Sequence, residues 1–362
     1  MSLTCGIVGL PNVGKSTLFN ALSNTKAESA NFPFCTIEPN VGLVSIPDER
    51  LLALAKIAQS KQIIPATIEF VDIAGLVKGA AEGKGKGNAF LSNIREVDLI
   101  IHVVRCFDND DIIHIEGSLD VQRDISIIEY ELILKDIESL EKKIQNLSKQ
   151  CKSGDKEVKS TLEDAKELLA HLEEGNSARS FREGEILFRD LFLLSQKPVL
   201  YACNVSEEDI LGEENTYVIQ VADYANSQGD EAVSFCAKIE AELAELDNEE
   251  RFMFLEELGI DQAGLDRLIT AAYANLGLIT YFTAGPKEAR AWTIRSGIKA
   301  PAAAGVIHTD FERGFIRAET ISFDDYVFLK GEKGAKEAGK MRQEGKDYVV
   351  KDGDVLLFRF NV

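Results

Sequence analysis

The sequence predicts an α/β protein: a P-loop nucleotide-binding domain on a doubly wound, mostly parallel sheet, interrupted by an antiparallel helical hairpin and followed by a small α+β domain. Three observations carry this prediction. Gly9-Leu10-Pro11-Asn12-Val13-Gly14-Lys15-Ser16-Thr17 matches the G-x-x-x-x-G-K-[ST] loop, and it lies between the apolar run Leu3 to Val8 and the helix-like start Thr17 to Leu22. Strand-like runs recur at 41–46, 66–71, 99–104 and 198–203. From Glu129 the apolar spacing changes to alternating fours and threes, as in packed helices.

A chain of 362 residues exceeds what one core usually holds, and the changes of pattern divide it at 1–119, 120–197, 198–277 and 278–362. The first and third segments form the two parts of the nucleotide domain, the second the hairpin, and the fourth the small domain. No apolar run approaches the roughly 20 residues a membrane helix needs, and the N-terminus lacks a signal pattern. A cytoplasmic, monomeric protein without membrane contact is expected. The six cysteines form no C-x-x-C pair, which argues for reduced core thiols over zinc or disulfides. The net charge of −20 is uneven: residues 198–277 carry 3 basic and 18 acidic groups, whereas 278–362 carry 14 and 12. A polyanion is thus not excluded as a partner of the C-terminal segment.

The phosphate loop assigns the first roles. The backbone of Asn12, Val13, Gly14, Lys15, Ser16 and Thr17 faces phosphates, Lys15 adds a catalytic point charge toward the β- and γ-phosphates, and the Ser16 hydroxyl suits Mg²⁺. Thr36 is the lone threonine between Lys26 and Pro47, in a loop with two prolines, where nucleotide switches place a second hydroxyl on Mg²⁺. Asp72 ends the 66–71 strand and can hold Mg²⁺ through water, while Gly75 offers its N–H to the γ-phosphate. The glycine-rich run Gly79 to Gly87 that follows reads as a mobile second switch.

Leu76 stands where many such hydrolases carry a water-orienting glutamine, so intrinsic turnover should be slow. Of four histidines, His102 lies inside an apolar run and reads as a core residue. His114 follows the acidic loop Asp108 to Asp111, on the side where open α/β sheets bind ligands, and is the candidate for positioning water.

In the hairpin, Ile133, Ile137, Leu140, Ile144 and Leu147 face Val158, Leu162, Ala165, Leu169 and Leu172 across a turn at 152–156. The chain returns through a helix expected at 184–195 and the strand 198–203, which ends in Asn204-Val205-Ser206-Glu207. Guanine readers carry N-K-x-D here. With Val205 for the lysine and Glu207 for the aspartate, Asn204 is left to bond the purine, Val205 to form a stacking wall, and the backbone at Ala237 to close over the base. Adenine fits better, with guanine the alternative. The C-terminal segment reads as strands at 278–282, 291–294, 326–329 and 355–360 around an alanine-rich loop, 299–305. Its basic residues Lys287, Arg290, Arg295, Lys299, Arg313 and Arg317 alternate with Phe282, Trp292, Phe311 and Phe315, a pattern shared by RNA-binding and solvated strand faces.

Taken together, these motifs resemble the YchF family, the Obg-like ATPases, over nearly the whole chain: Gly9 to Thr17, Phe32 to Asn40, Asp72 to Gly87, the hairpin, Asn204 to Glu207 and the C-terminal segment. The resemblance implies a C-terminal TGS domain of ubiquitin-like fold, Mg²⁺-dependent hydrolysis of ATP in preference to GTP, a hydrophobic residue at Leu76, and association with the ribosome, its large subunit or RNA. Lys86 is a departure: related Obg-type loops often carry leucine there, in G-x-G-L-G.

Overall fold

The structure is a computed structural model that describes residues 3–24, 40–73, 86–109, 117–151, 155–184, 186–211 and 215–361. The chain begins with β1 (Thr4–Gly9), α1 (Lys15–Asn24), β2 (Val41–Ser45), α2 (Glu49–Ala58), β3 (Gln62–Ile64), β4 (Thr67–Asp72), α3 (Lys86–Glu96) and β5 (Leu99–Arg105). The hairpin helices α4 (Val121–Gln150) and α5 (Lys156–Glu173) precede β6 (Val199–Asn204), α6 (Glu207–Leu211), α7 (Thr216–Gln228), β7 (Glu231–Phe235), α8 (Ala237–Leu243), α9 (Asn248–Leu258) and α10 (Gly264–Asn275). The C-terminal part holds β8 (Leu278–Ala284), β9 (Glu288–Arg295), α11 (Ala300–Ile307), α12 (Thr309–Arg313), β10 (Phe315–Ser322), α13 (Phe323–Phe328), α14 (Glu332–Glu337), β11 (Arg342–Glu344) and β12 (Asp354–Phe360).

The described residues form two units: 3–24, 40–42 and 69–271 in one, 43–68 and 272–361 in the other. In the first, a six-stranded sheet runs β2-β4-β1-β5-β6-β7, and β4, β1, β5, β6 and β7 pair in parallel. Every residue of β5 and β6 is buried, as expected of strands covered on both faces. This explains why their sequences read as continuous apolar runs rather than alternating ones.

The hairpin follows the predicted seam. Ile133, Leu140, Leu147, Ala165, Leu168 and Leu172 are buried in one cluster, with Ile137, Ile144, Val158, Leu162 and Leu169 packed against it. α4 starts earlier than the periodicity suggested, at Val121, because the Asp120 carboxylate caps it by accepting from Arg123 N at 3.0 Å. In place of the helix expected at 184–195, the return path has short 3-10 turns at Ala178–Gly184 and Arg189–Leu191. There the Asp136 carboxylate of α4 accepts from Leu194 N, Ser195 N and Ser195 Oγ, each at 2.7 Å. Those bonds hold the backbone in a turn that a continuous helix would forbid.

In the second unit a mixed six-stranded sheet runs β11-β10-β12-β8-β9-β3. Residues 43–68 belong to this unit rather than to the expected first segment. β3 pairs in parallel with β9, Arg50 reaches Asp352 at 2.6 Å, and Ser60 Oγ donates to Gly285 O at 2.7 Å. A three-residue strand whose partner lies more than 200 positions away leaves no local signal in the sequence.

Two further segments differ from expectation. The alanine-rich stretch 299–305 is helix α11, since alanine is the strongest helix former and Pro301 is tolerated in a first turn. Residues 326–329 are not a strand: α13 ends at Phe328, and Ser322 Oγ caps it by accepting from Asp325 N at 3.3 Å.

Candidate functional site

The phosphate-binding loop leaves the end of β1, at the carboxyl edge where open parallel sheets bind ligands. Two residues turn through the left-handed region, Asn12 at φ 64° and Gly14 at φ 94°, and α1 begins immediately after with Lys15. Successive N–H groups at a helix N-terminus in this turn form an anion-binding concavity. Gly14 is required twice over: its φ strains any other residue, and a Cβ would meet the Asn204 amide nitrogen. A Cβ at Gly9 would stand 2.9 Å from Val103 O. Ser16 and Thr17 are exposed in the first turn of α1, and Val13 is buried.

Lys15 Nζ forms an ion pair with the Asp72 carboxylate and donates to Ile73 O at 3.0 Å. The strand register places Asp72, at the end of β4, beside Ile7 of β1, which brings the predicted phosphate and magnesium residues together. Ser16 hydroxyl and Asp72 carboxylate are hard oxygen donors, and Mg²⁺ is commonly held by one or two protein oxygens plus water and substrate phosphates, so the pair fits that ion. Thr36, Gly75, Leu76 and His114 lie outside the described residues.

The base-side residues are placed differently from expectation. Asn204, at the end of β6, is buried; its Nδ2 donates to Val13 O at 3.0 Å and its Oδ1 accepts from Ala237 N at 3.0 Å. Its amide thus braces the phosphate loop against the start of α8, leaving one N–H and one lone pair for a base. Val205 is buried, its N–H donating to Phe235 O at 2.9 Å, because the apolar character of β6 continues through it. It is part of the core and not an open stacking wall. Glu207 opens α6 and pairs with Lys238 at 2.6 Å across an exposed rim.

Sequence reasoning missed Arg105. Buried at the end of β5, its guanidinium donates to Phe107 O and Asn109 O at 3.0 Å each and fixes the backbone of 107–109 as it leaves the strand. The signal was present: a lone arginine closing an apolar run. His102, one strand face away, is a core residue as read; burial pushes its imidazole down to about 4, so it is neutral. Beneath the sheet a second missed group gathers. Arg179 bonds Glu129 at 2.6 Å and Asp230 at 2.8 Å, and Glu129 also accepts from the hydroxyls of Tyr201, at 2.9 Å, and Tyr224. Burial would raise Glu129, but the Arg179 charge and the two hydroxyls hold it below the ordinary range. For Asp230, burial outweighs the same arginine.

In the C-terminal unit the basic residues are partly occupied within the chain. Arg290 lies 4.0 Å over the Trp292 ring, Lys299 pairs with Asp347 at 2.8 Å, and Arg317 with Glu319 at 3.2 Å. Among the described residues no helix is long and apolar enough to cross a membrane. Cys5, Cys106, Cys203 and Cys236 are free, buried thiols.

The chain is 55% identical over 365 residues to the ribosome-binding ATPase YchF of Escherichia coli O157:H7, covering 100% of both chains. The chain belongs to the YchF family. The ribosome-binding ATPase YchF of Bacillus subtilis is 54% identical over 368 residues, again with 100% of each covered. The solved structure of the Schizosaccharomyces pombe YchF GTPase superposes with a TM-score of 0.87 at 39% identity, over 99% of this chain and 98% of that one. The family described as 50S ribosome-binding GTPase matches residues 4–170, and the YchF C-terminal family, described as a protein of unknown function, matches residues 278–361. The P-loop α/β fold and the C-terminal domain read from the sequence are those of the YchF family.

Proposed function

We propose that this protein is a Mg²⁺-dependent ATP hydrolase that works as a slow cytoplasmic switch and associates with the ribosome. The observation that carries the reading is the left-handed turn at Asn12 and Gly14 running into α1 with Lys15 beside Asp72. In this reading the 12–17 backbone and Lys15 hold the phosphates, while Ser16, Thr36 and Asp72 hold Mg²⁺, which when bound neutralises charge building on the phosphoryl oxygens. For Lys15 to reach a phosphate, its pair with Asp72 parts, and the nucleotide and ion take the two groups separately. His114 orients water in place of the side chain missing at Leu76, and the N–H of Gly75 faces the γ-phosphate.

Adenine is favoured because Glu207, drawn to Lys238, stands where guanine readers place an aspartate that accepts two bonds from the base edge. The names of the bacterial relatives support ATP and ribosome binding, while the S. pombe relative, named a GTPase, supports the alternative, a GTPase of relaxed base reading. Side-by-side titrations with ATP and GTP in Mg²⁺ decide: tighter ATP is expected, and tighter GTP overturns the base assignment. In the same assay His114→Ala should keep ATP affinity and lose most hydrolysis; unchanged hydrolysis removes His114 from the mechanism.

A further inference from the structure

Helix α9 is self-contained. Asp247 caps its start by accepting from Glu249 N and Glu250 N at 2.9 Å each, Glu250 returns a bond to Asp247 N at 3.2 Å, and Gly259 ends it in the left-handed region at φ 69°. Such local closure matters because α9 packs extensively against no other helix or strand among the described residues. A side-chain hydrogen bond ties it to the protein through Arg251, bonded to Asp266 of α10 at 2.9 Å.

The helix carries five large apolar residues, Phe252, Met253, Phe254, Leu255 and Leu258, and none is buried. Phe254, Leu255 and Leu258 are half-buried on one side with Arg251. The opposite face presents Phe252, 68% exposed, and Met253, 58% exposed, with Glu249 and Glu250 before them and Glu256 and Glu257 after. Single exposed apolar residues are ordinary; an adjacent pair of this size between four carboxylates is a ridge. Glu256 and Glu257 also sit in the last turn, where the helix dipole disfavours negative charge and no basic residue offsets them. Helix stability alone therefore does not account for them.

The charge names the partner. The ridge belongs to the segment 198–277, with 3 basic against 18 acidic groups, a field that repels phosphate backbones and attracts cationic surfaces. An apolar helix face is read by a groove. We propose that the outward face of α9 docks on a basic protein surface bearing an apolar groove. Resting on the ribosome association proposed above, that surface belongs to a ribosomal protein and not to ribosomal RNA.

The test is co-sedimentation of the full chain with purified ribosomes in ATP and Mg²⁺. The double variant Phe252→Ser with Met253→Ser should bind ribosomes roughly tenfold more weakly or worse, with ATP affinity unchanged. Glu256→Lys with Glu257→Lys should also weaken ribosome binding while holding or raising the melting temperature, because the dipole favours lysine there. A photo-crosslinking residue in place of Met253 should label ribosomal protein. Undiminished ribosome binding by the double serine variant overturns the docking role and leaves the association standing, and labelling of RNA overturns the protein partner. Failure of the natural chain to sediment overturns the association and the partner together. A concentration-dependent dimer, seen by light scattering and lost in the serine variant, assigns the ridge to a second copy and also overturns it.

Discussion

Asn204 shows how much a single side chain can do between two backbones. Its amide satisfies a carbonyl of the phosphate loop and an N–H at the start of α8, both buried, so Asn204→Ala leaves two polar groups unmade. The expected cost is about 2–4 kcal/mol of folding stability, together with weakened ATP binding from a loosened loop. Chemical denaturation checks it, and a loss under about 1 kcal/mol would return Asn204 to base reading alone. Glu240 gives a pH-dependent counterpart. Its carboxyl is buried, accepts from Gly264 N at 2.7 Å, and has one oxygen without a hydrogen-bond partner among the described residues; burial raises it from 4.5 to about 7. The folded state therefore holds this proton more tightly than the unfolded chain. The stability it contributes is complete below about 4.5 and is lost as pH rises through about 7. Glu240→Gln, compared by denaturation between pH 5 and 8, should flatten that slope; an unchanged slope would place the titration elsewhere. At this scale the sequence foretold that Lys15 of the phosphate loop and Asp72 lie together, because the loop spacing and the strand end that carry them are local patterns. It did not reveal that Val205 is core and Asn204 a brace, since those roles depend on Val13, Phe235 and Ala237, distant in the chain.

Among elements, the hairpin was legible because every seam residue repeats within its own helix, and the central strands because they are apolar throughout. β3 and α13 were not: a three-residue strand is defined by its partner, and six residues of helix are defined by a serine cap that also suits a turn. The root of the hairpin was equally hidden. Arg179 joins Glu129 of α4 to Asp230, just before β7, and through Glu129 to the tyrosines of β6 and α7. Removing one member of such a buried group leaves uncompensated charge, so Arg179→Ala should cost about 3–5 kcal/mol in denaturation experiments. If the variant loses less than about 1 kcal/mol, the cluster is solvated and does not fix the hairpin to its sheet.

For the whole molecule, charge and motif divide the work. The phosphate loop, with Ser16 and Asp72, lies at one end of the parallel sheet, the negative excess is concentrated in 198–277, and the C-terminal unit is close to neutral, with several cations already paired to its own carboxylates. What the amino-terminal loop is proposed to do, above all else, is grip a purine triphosphate. Calorimetric titration of the full chain with ATP and Mg²⁺ tests it most directly, alongside Lys15→Ala. Saturable binding of one ATP per chain is expected, weakened by roughly a hundredfold in the variant, the scale of a lost charge-assisted phosphate contact. Absence of binding to either ATP or GTP, or equal affinity in the variant, would contradict it.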